Sequence, residues 1–173
     1  MFEPFSERAR RVVFFSRRLA GRRGASSIQV EHLIEALILE DQGDYAKLLP
    51  EMRVPGTAVQ VTRPHRPFFT AEAAAEIRRG LEPLMPANAK PLPESVDMPL
   101  SEAGQRVILG AKEMSEEMRG ETSPSHIRVG HVQPLHMLAA ALSDETSATA
   151  EVLKQVGLAK ETVITAIKTG EYS

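Results

Sequence analysis

The sequence predicts an all-α fold built by tandem duplication, and three observations carry that prediction. Apolar residues recur at 3- and 4-residue steps, no segment alternates with period two for long enough to argue for a sheet, and one block of motifs occurs twice. Phe5-Ser6-Glu7 followed by Arg11-Val12-Val13 reappears as Leu100-Ser101-Glu102 followed by Arg106-Val107-Ile108, at an offset of 95. His32-Leu33-Ile34 with Ala36 matches His136-Met137-Leu138 with Ala140 at an offset of 104. The second offset also pairs Ala46 with Ala150, Leu49 with Leu153, Met52 with Val156 and Val54 with Leu158. Two registers holding across three separate blocks indicate a duplicated unit of about four helices, about eight in all. The jump in register falls in the loop between the first and second helices of each copy.

In the first copy, Phe5, Ala9, Val12, Val13, Ser16 and Ala20 share one helical face, Ser6 can cap the helix, and Gly21 or Gly24 can end it. A second helix over 30–39 buries Leu33, Ile34, Leu37 and Ile38, and a third covers 45–52. The fourth has room for at most one or two turns before Pro64, because Pro55, Gly56 and the β-branched Val59, Val61 and Thr62 oppose a longer helix. The second copy repeats the plan. A helix over 101–119 buries Val107, Ile108, Ala111 and Met118, and Gln133-Pro134 opens the next, with proline in the first turn where its missing N–H does no harm. A third helix over 146–156 stops at Gly157, and a fourth follows over 160–168. The copies thus occupy 1–62 and 100–173. Between them lies a connector over 63–99 rich in proline (Pro64, Pro67, Pro83, Pro86, Pro91, Pro93, Pro99). Within it Thr70 can cap one extra helix reaching Leu81, and the remainder reads as an extended linker.

The length of 173 residues suits a single domain, which at that size buries roughly 70% of the surface of its unfolded chain. There is no cysteine, which removes disulfides, thiolate metal sites and a thiol nucleophile. No apolar stretch approaches the roughly 20 residues of a spanning helix, and residues 1–11 carry charge without the apolar run of a secretory signal. A cytoplasmic protein without membrane contact is expected. Charge is unevenly spread. Residues 1–30 hold seven arginines (Arg8, Arg10, Arg11, Arg17, Arg18, Arg22, Arg23) against two acids, whereas from Ser101 onward ten acids face seven Lys and Arg. Such a segment either pairs with the acidic half of its own chain or meets an anionic partner.

The stretches Met1-Phe2-Glu3, Phe5 through Val13 and Glu31-His32-Leu33-Ile34 closely resemble the opening of ClpC-type AAA+ unfoldases, whose amino-terminal domain is a duplicated four-helix Clp repeat with pseudo-twofold symmetry. The resemblance covers about residues 1–54 and 100–168, and leaves 63–99 unplaced. It implies a bacterial, non-catalytic domain acting in Clp-dependent protein quality control. Its partners would be a Clp ATPase, an adaptor, or an unfolded or phosphoarginine-bearing substrate, with no cofactor and a monomeric state. No Gly-x-x-x-x-Gly-Lys-Ser/Thr loop occurs, so the 173 residues by themselves are not expected to hydrolyse ATP by that route. Some ClpC-type domains read phosphoarginine with a glutamate just before the His-Leu-Leu run, together with the start of the first helix. Carried over, that assigns Glu31 and Ser6 in the first copy. In the second copy Ser101 remains but Leu135 replaces the glutamate, so one such site at most is implied. Without that role, Glu31 still favours the start of its helix electrostatically.

Other chemistries are less well supported by the residues. His126, His131 and His136 step by five, which does not align them for a metal, and His32 and His136 fall at equivalent helix starts. No nucleophile elbow is present. Nucleic-acid binding through the arginine-rich first helix is the alternative from another class, opposed by a pI near 6.2 and by few aromatic platforms. Phe14 and Phe15 cannot both be buried on one stripe with Val12 and Val13. One of them is therefore a candidate contact for a peptide partner, and core packing between the copies is the other reading.

Overall fold

The computed structural model describes residues 4–44, 66–85, 90–93, 97–119 and 131–172. Helices begin in chain order as α1 (Glu7–Arg22), α2 (Val30–Asp41), α3 (Ala71–Leu81) with a 3-10 turn over Glu82–Leu84, α4 (Glu102–Met118), α5 (Pro134–Ser143), α6 (Ala148–Gln155) and α7 (Lys160–Thr169). The helices expected over 45–52 and before Pro64 lie outside the described residues, as does His126. Among the described residues there is no strand beyond two isolated bridges.

Local signals set the boundaries. The Ser6 hydroxyl accepts the Ala9 N–H at 3.1 Å and the Ser101 hydroxyl accepts the Gly104 N–H at 3.0 Å, so each serine satisfies one of the orphan donors of its helix. Gly24, at φ +67°, ends α1, and Gly21 stays inside the helix. The helix expected from 146 starts at Ala148 instead, because Ser147 is the residue whose hydroxyl takes the Ala150 N–H, at 3.0 Å.

Packing follows from composition. α5 is apolar nearly all round and has to be surrounded, and α2 is surrounded likewise, its buried Glu35, Glu40 and Asp41 meeting partners from other segments. Of α2, only Glu31 is not fully buried, and of α5 only Ser143 is exposed. The more amphipathic helices cover them. α1 lies on α2, and α4 and α7 lie on α5. Leu33, Ile34, Leu37, Ile38, Val107, Ile108, Ala111 and Met118 are all buried as the periodicity predicts, while Val13 is only partly so.

The connector differs from the expected extended linker. Its helix forms where Thr70 predicts, the threonine hydroxyl accepting the Ala73 N–H at 3.1 Å. The helix buries Ala74, Ile77 and Leu81, and its immediate flanks reach the core as well, with Phe69 and Met85 buried. The buried Asp41 carboxylate at the end of α2 accepts the N–H groups of Phe68 at 2.7 Å and Phe69 at 3.0 Å, which fixes the entry to α3. At Gly80 a Cβ would lie 2.7 Å from Val152 Cγ1, so α3 and α6 touch as closely as a glycine permits.

The two copies are stitched together crosswise. Phe5 bridges in parallel to Val132, and Ile28 bridges in parallel to Leu100. Ser6 N–H donates to Val132 O at 2.9 Å and Val132 N–H to Pro4 O at 2.7 Å. In the other bridge Ser101 N–H donates to Ile28 O at 2.9 Å and Ile28 N–H to Pro99 O at 2.9 Å. The residues correspond one to one at the offsets 95 and 104 read from the sequence, Pro4 with Pro99, Ser6 with Ser101, and Ile28 with Val132. The first helix of each copy is therefore anchored beside the second helix of the other copy.

Candidate functional site

Two equivalent junctions result. One combines the start of α4 with the start of α2, and the other combines the start of α1 with the start of α5. Each is organised by a histidine at the third helical position. Gln29 N–H donates to His32 Nδ1 at 3.0 Å, and Gln133 N–H donates to His136 Nδ1 at 2.9 Å. This is the reciprocal half of a capping box, with imidazole in place of the usual carboxylate or amide. Both rings are buried, and burial pushes both down to about 4, helped at His32 by the positive charge of Arg23. An N–H aimed at Nδ1 also disfavours a proton there. The structural role expected for these histidines from their equivalent positions is what the geometry gives. Among the described residues no group of three or more His, Asp or Glu side chains could hold a metal.

The residues assigned from the family motif are redistributed by the crosswise pairing. Ser101 N–H bonds to Ile28 O, three residues before Glu31, so Glu31 shares its junction with Ser101 and not with Ser6. Ser6 bonds to Val132 O and lies with Leu135. Gly104 permits the first junction to close, since a Cβ there would stand 3.0 Å from Ile28 O. Glu31 is half-buried and its Oε1 accepts the Thr149 hydroxyl at 3.1 Å, tying the start of α2 to α6. The repeat does not point to Thr149, because its counterpart 104 residues earlier is Tyr45, an aromatic phenol and not a short aliphatic alcohol.

At the second junction the buried Leu135 replaces the acid. There a small cleft is lined by Gln133, Pro134, Leu135, Ala166, Ile167 and Tyr172, and is mainly apolar. Tyr172 packs edge-on against Phe68 at 5.2 Å between ring centroids, and its carbonyl accepts from Arg8 Nη1. The junctions are thus alike in backbone and opposite in chemistry, one presenting a carboxylate and the other a greasy notch.

Two arginines of α1, Arg8 and Arg11, turn inward to an acid of the neighbouring helix α2. Glu40, fully buried on α2, receives Arg8 through Nε at 3.0 Å and Nη2 at 2.9 Å, and Arg11 through Nη2 at 3.2 Å. Arg23 bonds to Glu82 at 2.9 Å and lies 3.8 Å from the buried Glu35, which Arg78 of α3 also approaches at 3.6 Å. The Arg23 guanidinium holds the Glu82 carboxyl below its ordinary range.

Phe14 and Phe15 separate cleanly. Phe15 is 4% exposed and belongs to the core, whereas Phe14 is 45% exposed, the two rings meeting edge to face at 5.6 Å. Phe15→Ala is expected to cost about 3–5 kcal/mol in urea unfolding, as for a buried aromatic, while Phe14→Ala should leave the midpoint nearly unchanged. Equal losses in the two variants would contradict this assignment.

Comparison with known proteins gives the following. No family model matches the chain. It is 32% identical over 159 residues to the chloroplastic chaperone protein ClpD2 of Oryza sativa subsp. japonica, which covers 91% of this chain and 14% of ClpD2. Among solved structures, the N-terminal domain of the caseinolytic protease associated chaperone ClpD from Arabidopsis thaliana superposes with a TM-score of 0.59 at 23% identity, covering 96% of this chain and 93% of that one. The Hsp104 N-terminal domain from Candida albicans gives a TM-score of 0.56 at 18% identity, over 93% of this chain and 87% of that one. The plant, chloroplastic source of ClpD2 does not support the bacterial origin expected from the motif.

Proposed function

The chain has the fold of a Clp amino-terminal domain, and from that premise we propose that it is a non-catalytic protein-binding module acting alongside a Clp-type chaperone. The observation that carries this reading is similarity to ClpD2 along 91% of the chain, to a protein described as a chaperone. The chain spans 14% of the length of ClpD2, so action on unfolded clients or adaptors is part of the proposal. The geometry is consistent with a binding module. The described junctions present capped helix starts, one half-buried carboxylate and a shallow apolar cleft. Phosphoarginine recognition can draw on one junction, the one that holds both Glu31 and Ser101. The Leu135 junction offers no carboxylate to a guanidinium. A cytoplasmic location and a monomeric state belong to the same proposal.

The test is capture from native lysate by purified protein, with identification of what is bound, comparing wild type with Glu31→Ala. Recovery of a Clp ATPase, its adaptor or unfolded clients is expected. Loss of clients in Glu31→Ala, at an unchanged melting temperature, would put their contact at the start of α2. Recovery of nucleic acid alone would overturn the reading in favour of the arginine-rich helix as a phosphate-binding surface, a loss that salt titration would reveal independently.

A further inference from the structure

The connector helix α3 lies against α2 of the first copy and α6 of the second, and so covers a seam between them. That seam starts at the bond between Glu31 and Thr149. One helical turn further along each helix it meets α3, at Glu35 on α2 and at Val152 on α6. α3 fills it in the manner of a helix in a groove. Ala74, Ile77 and Leu81 are buried at steps of three and four, while Glu72, Ala75, Glu76 and Arg79 on the other side are exposed. Both ends are held by bonds. The Asp41 carboxylate takes the Phe68 and Phe69 N–H groups, and Arg23 bonds to Glu82 and, at 2.9 Å, to the Met85 carbonyl. The middle is held less well. The Glu35 side chain is only 6% exposed, yet guanidinium nitrogens of Arg78 and Arg23 stand 3.6 and 3.8 Å from it, beyond hydrogen-bond reach. Glu35 Oε2 and Arg78 Nε are buried and have no hydrogen-bond partner among the described residues. Buried polar atoms left without bonds weaken the seat of α3.

Resting on the protein-binding reading, we propose that the seam between α2 and α6 is a docking groove for an amphipathic helix of a protein partner, and that α3 occupies it in cis until that helix displaces it. The chemistry of the partner follows from α3. It carries apolar side chains at positions i, i+3 and i+7, as at Ala74, Ile77 and Leu81, and an arginine at i+4, as at Arg78. It also carries a glycine at i+6, because a Cβ at Gly80 would stand 2.7 Å from Val152 Cγ1. An arginine that reaches Glu35 with both prongs of its fork makes the bonds that Arg78 leaves unmade, which gives the incoming helix its advantage over α3. With α3 displaced, the groove runs on to Glu31, so the carboxylate of the first junction and the seam form one surface. A nucleic acid fits less well, since Glu31 and Glu35 set two acids along the same side of α2.

The experiment is fluorescence anisotropy with a fluorescein-labelled peptide of residues 68–85, added to the whole chain of 173 residues. Gly80→Leu drives a side chain into Val152 and should release α3 from its seat. Arg78→Glu, on a side chain 39% exposed, sets a carboxylate beside Glu35 and should release it by a different route. Each variant should bind the peptide at least about tenfold more tightly than wild type, whose groove is filled. Adding Val152→Glu to Arg78→Glu should abolish that gain. A scrambled peptide that binds as tightly, or a gain that survives Val152→Glu, overturns the proposal. Hydrogen exchange on wild type needs no variant. The α3 amides should exchange through a local opening, at least about tenfold faster than the buried amides of α2 and α5. Exchange of α3 only together with α2 and α5 makes it part of one cooperative core and overturns the proposal. Casein, as an unfolded protein probe, separates the two levels. If casein binds wild type and the peptide binds neither variant, the groove is wrong and the protein-binding reading stands. If neither casein nor the peptide is bound, both fall.

Discussion

Acidification from pH 7 to pH 4 is expected to remove about 3 kcal/mol of folding stability for each of the two junction histidines. His32 and His136 have folded values near 4, below the ordinary 6.5 that they regain on unfolding. The unfolded chain therefore binds protons first as pH falls. The contribution is fully present above about 6.5 and is lost progressively down to about 4. Together the two losses are comparable with the whole stability of an ordinary domain, about 5–15 kcal/mol. Urea midpoints measured across that range should fall with a steepness approaching two protons. The variant His32→Gln with His136→Gln tests the cause. Glutamine can accept the same backbone N–H at the third position of a capping box but does not titrate. Its midpoint should stay flat between pH 6.5 and 4.5, and a slope as steep as that of wild type would refute the histidine assignment.

Glu40→Gln is the second change with a large expected effect, a loss of about 3–5 kcal/mol. The carboxylate is inaccessible to solvent and collects Arg8 and Arg11, whose side chains are only 15% and 21% exposed. Removing its charge takes the carboxylate partner from a largely dehydrated Arg8 and leaves Arg11 its pair with the exposed Glu7. Because Arg8 also holds the Tyr172 carbonyl, hydrogen exchange near the end of α7 should rise in the same variant. The exposed pair Arg106–Glu102, at 3.0 Å, is the control, and Glu102→Gln should change the midpoint by less than about 0.5 kcal/mol. If the two substitutions cost the same, the buried pair adds nothing that a surface pair does not.

Much of this was legible in the residues. The periodicity of α1, α2, α4 and α5 named the core, and Ser6, Thr70, Ser101 and Gly157 named helix ends, because capping is a local matter of one hydroxyl or one left-handed glycine. The limits were equally physical. Proline density suggested that residues 63–99 outside the helix reaching Leu81 were an extended linker, yet Phe69 and Met85 on either side of that helix are buried. Burial of a short amphipathic helix depends on a distant acceptor, Asp41, that no window around 70 contains. Periodicity on α2 likewise marks its apolar positions but says nothing of Glu35 and Glu40, whose burial depends on Arg8, Arg11, Arg23 and Arg78 arriving from other helices. Glu31 and Ser6, read together from the motif of one copy, lie at different junctions for a related reason. Residues matched within one copy are adjacent in sequence logic, whereas the backbone bonds connect each copy to the other.

That crosswise stitching also bears on how the chain acquires its fold in time. During synthesis from the amino end, the edge at Pro4–Ser6 has no partner until Val132 has been made, and the edge at Ile28 waits for Leu100. Local helices can come and go in the nascent first copy, but its two anchor points close only with segments 127 and 72 residues further on, counted from Phe5 to Val132 and from Ile28 to Leu100. The crosswise bonds thus become available in two steps, at Leu100 and then at Val132, and until then α1 and α2 can cover only each other, without the second copy that completes their burial.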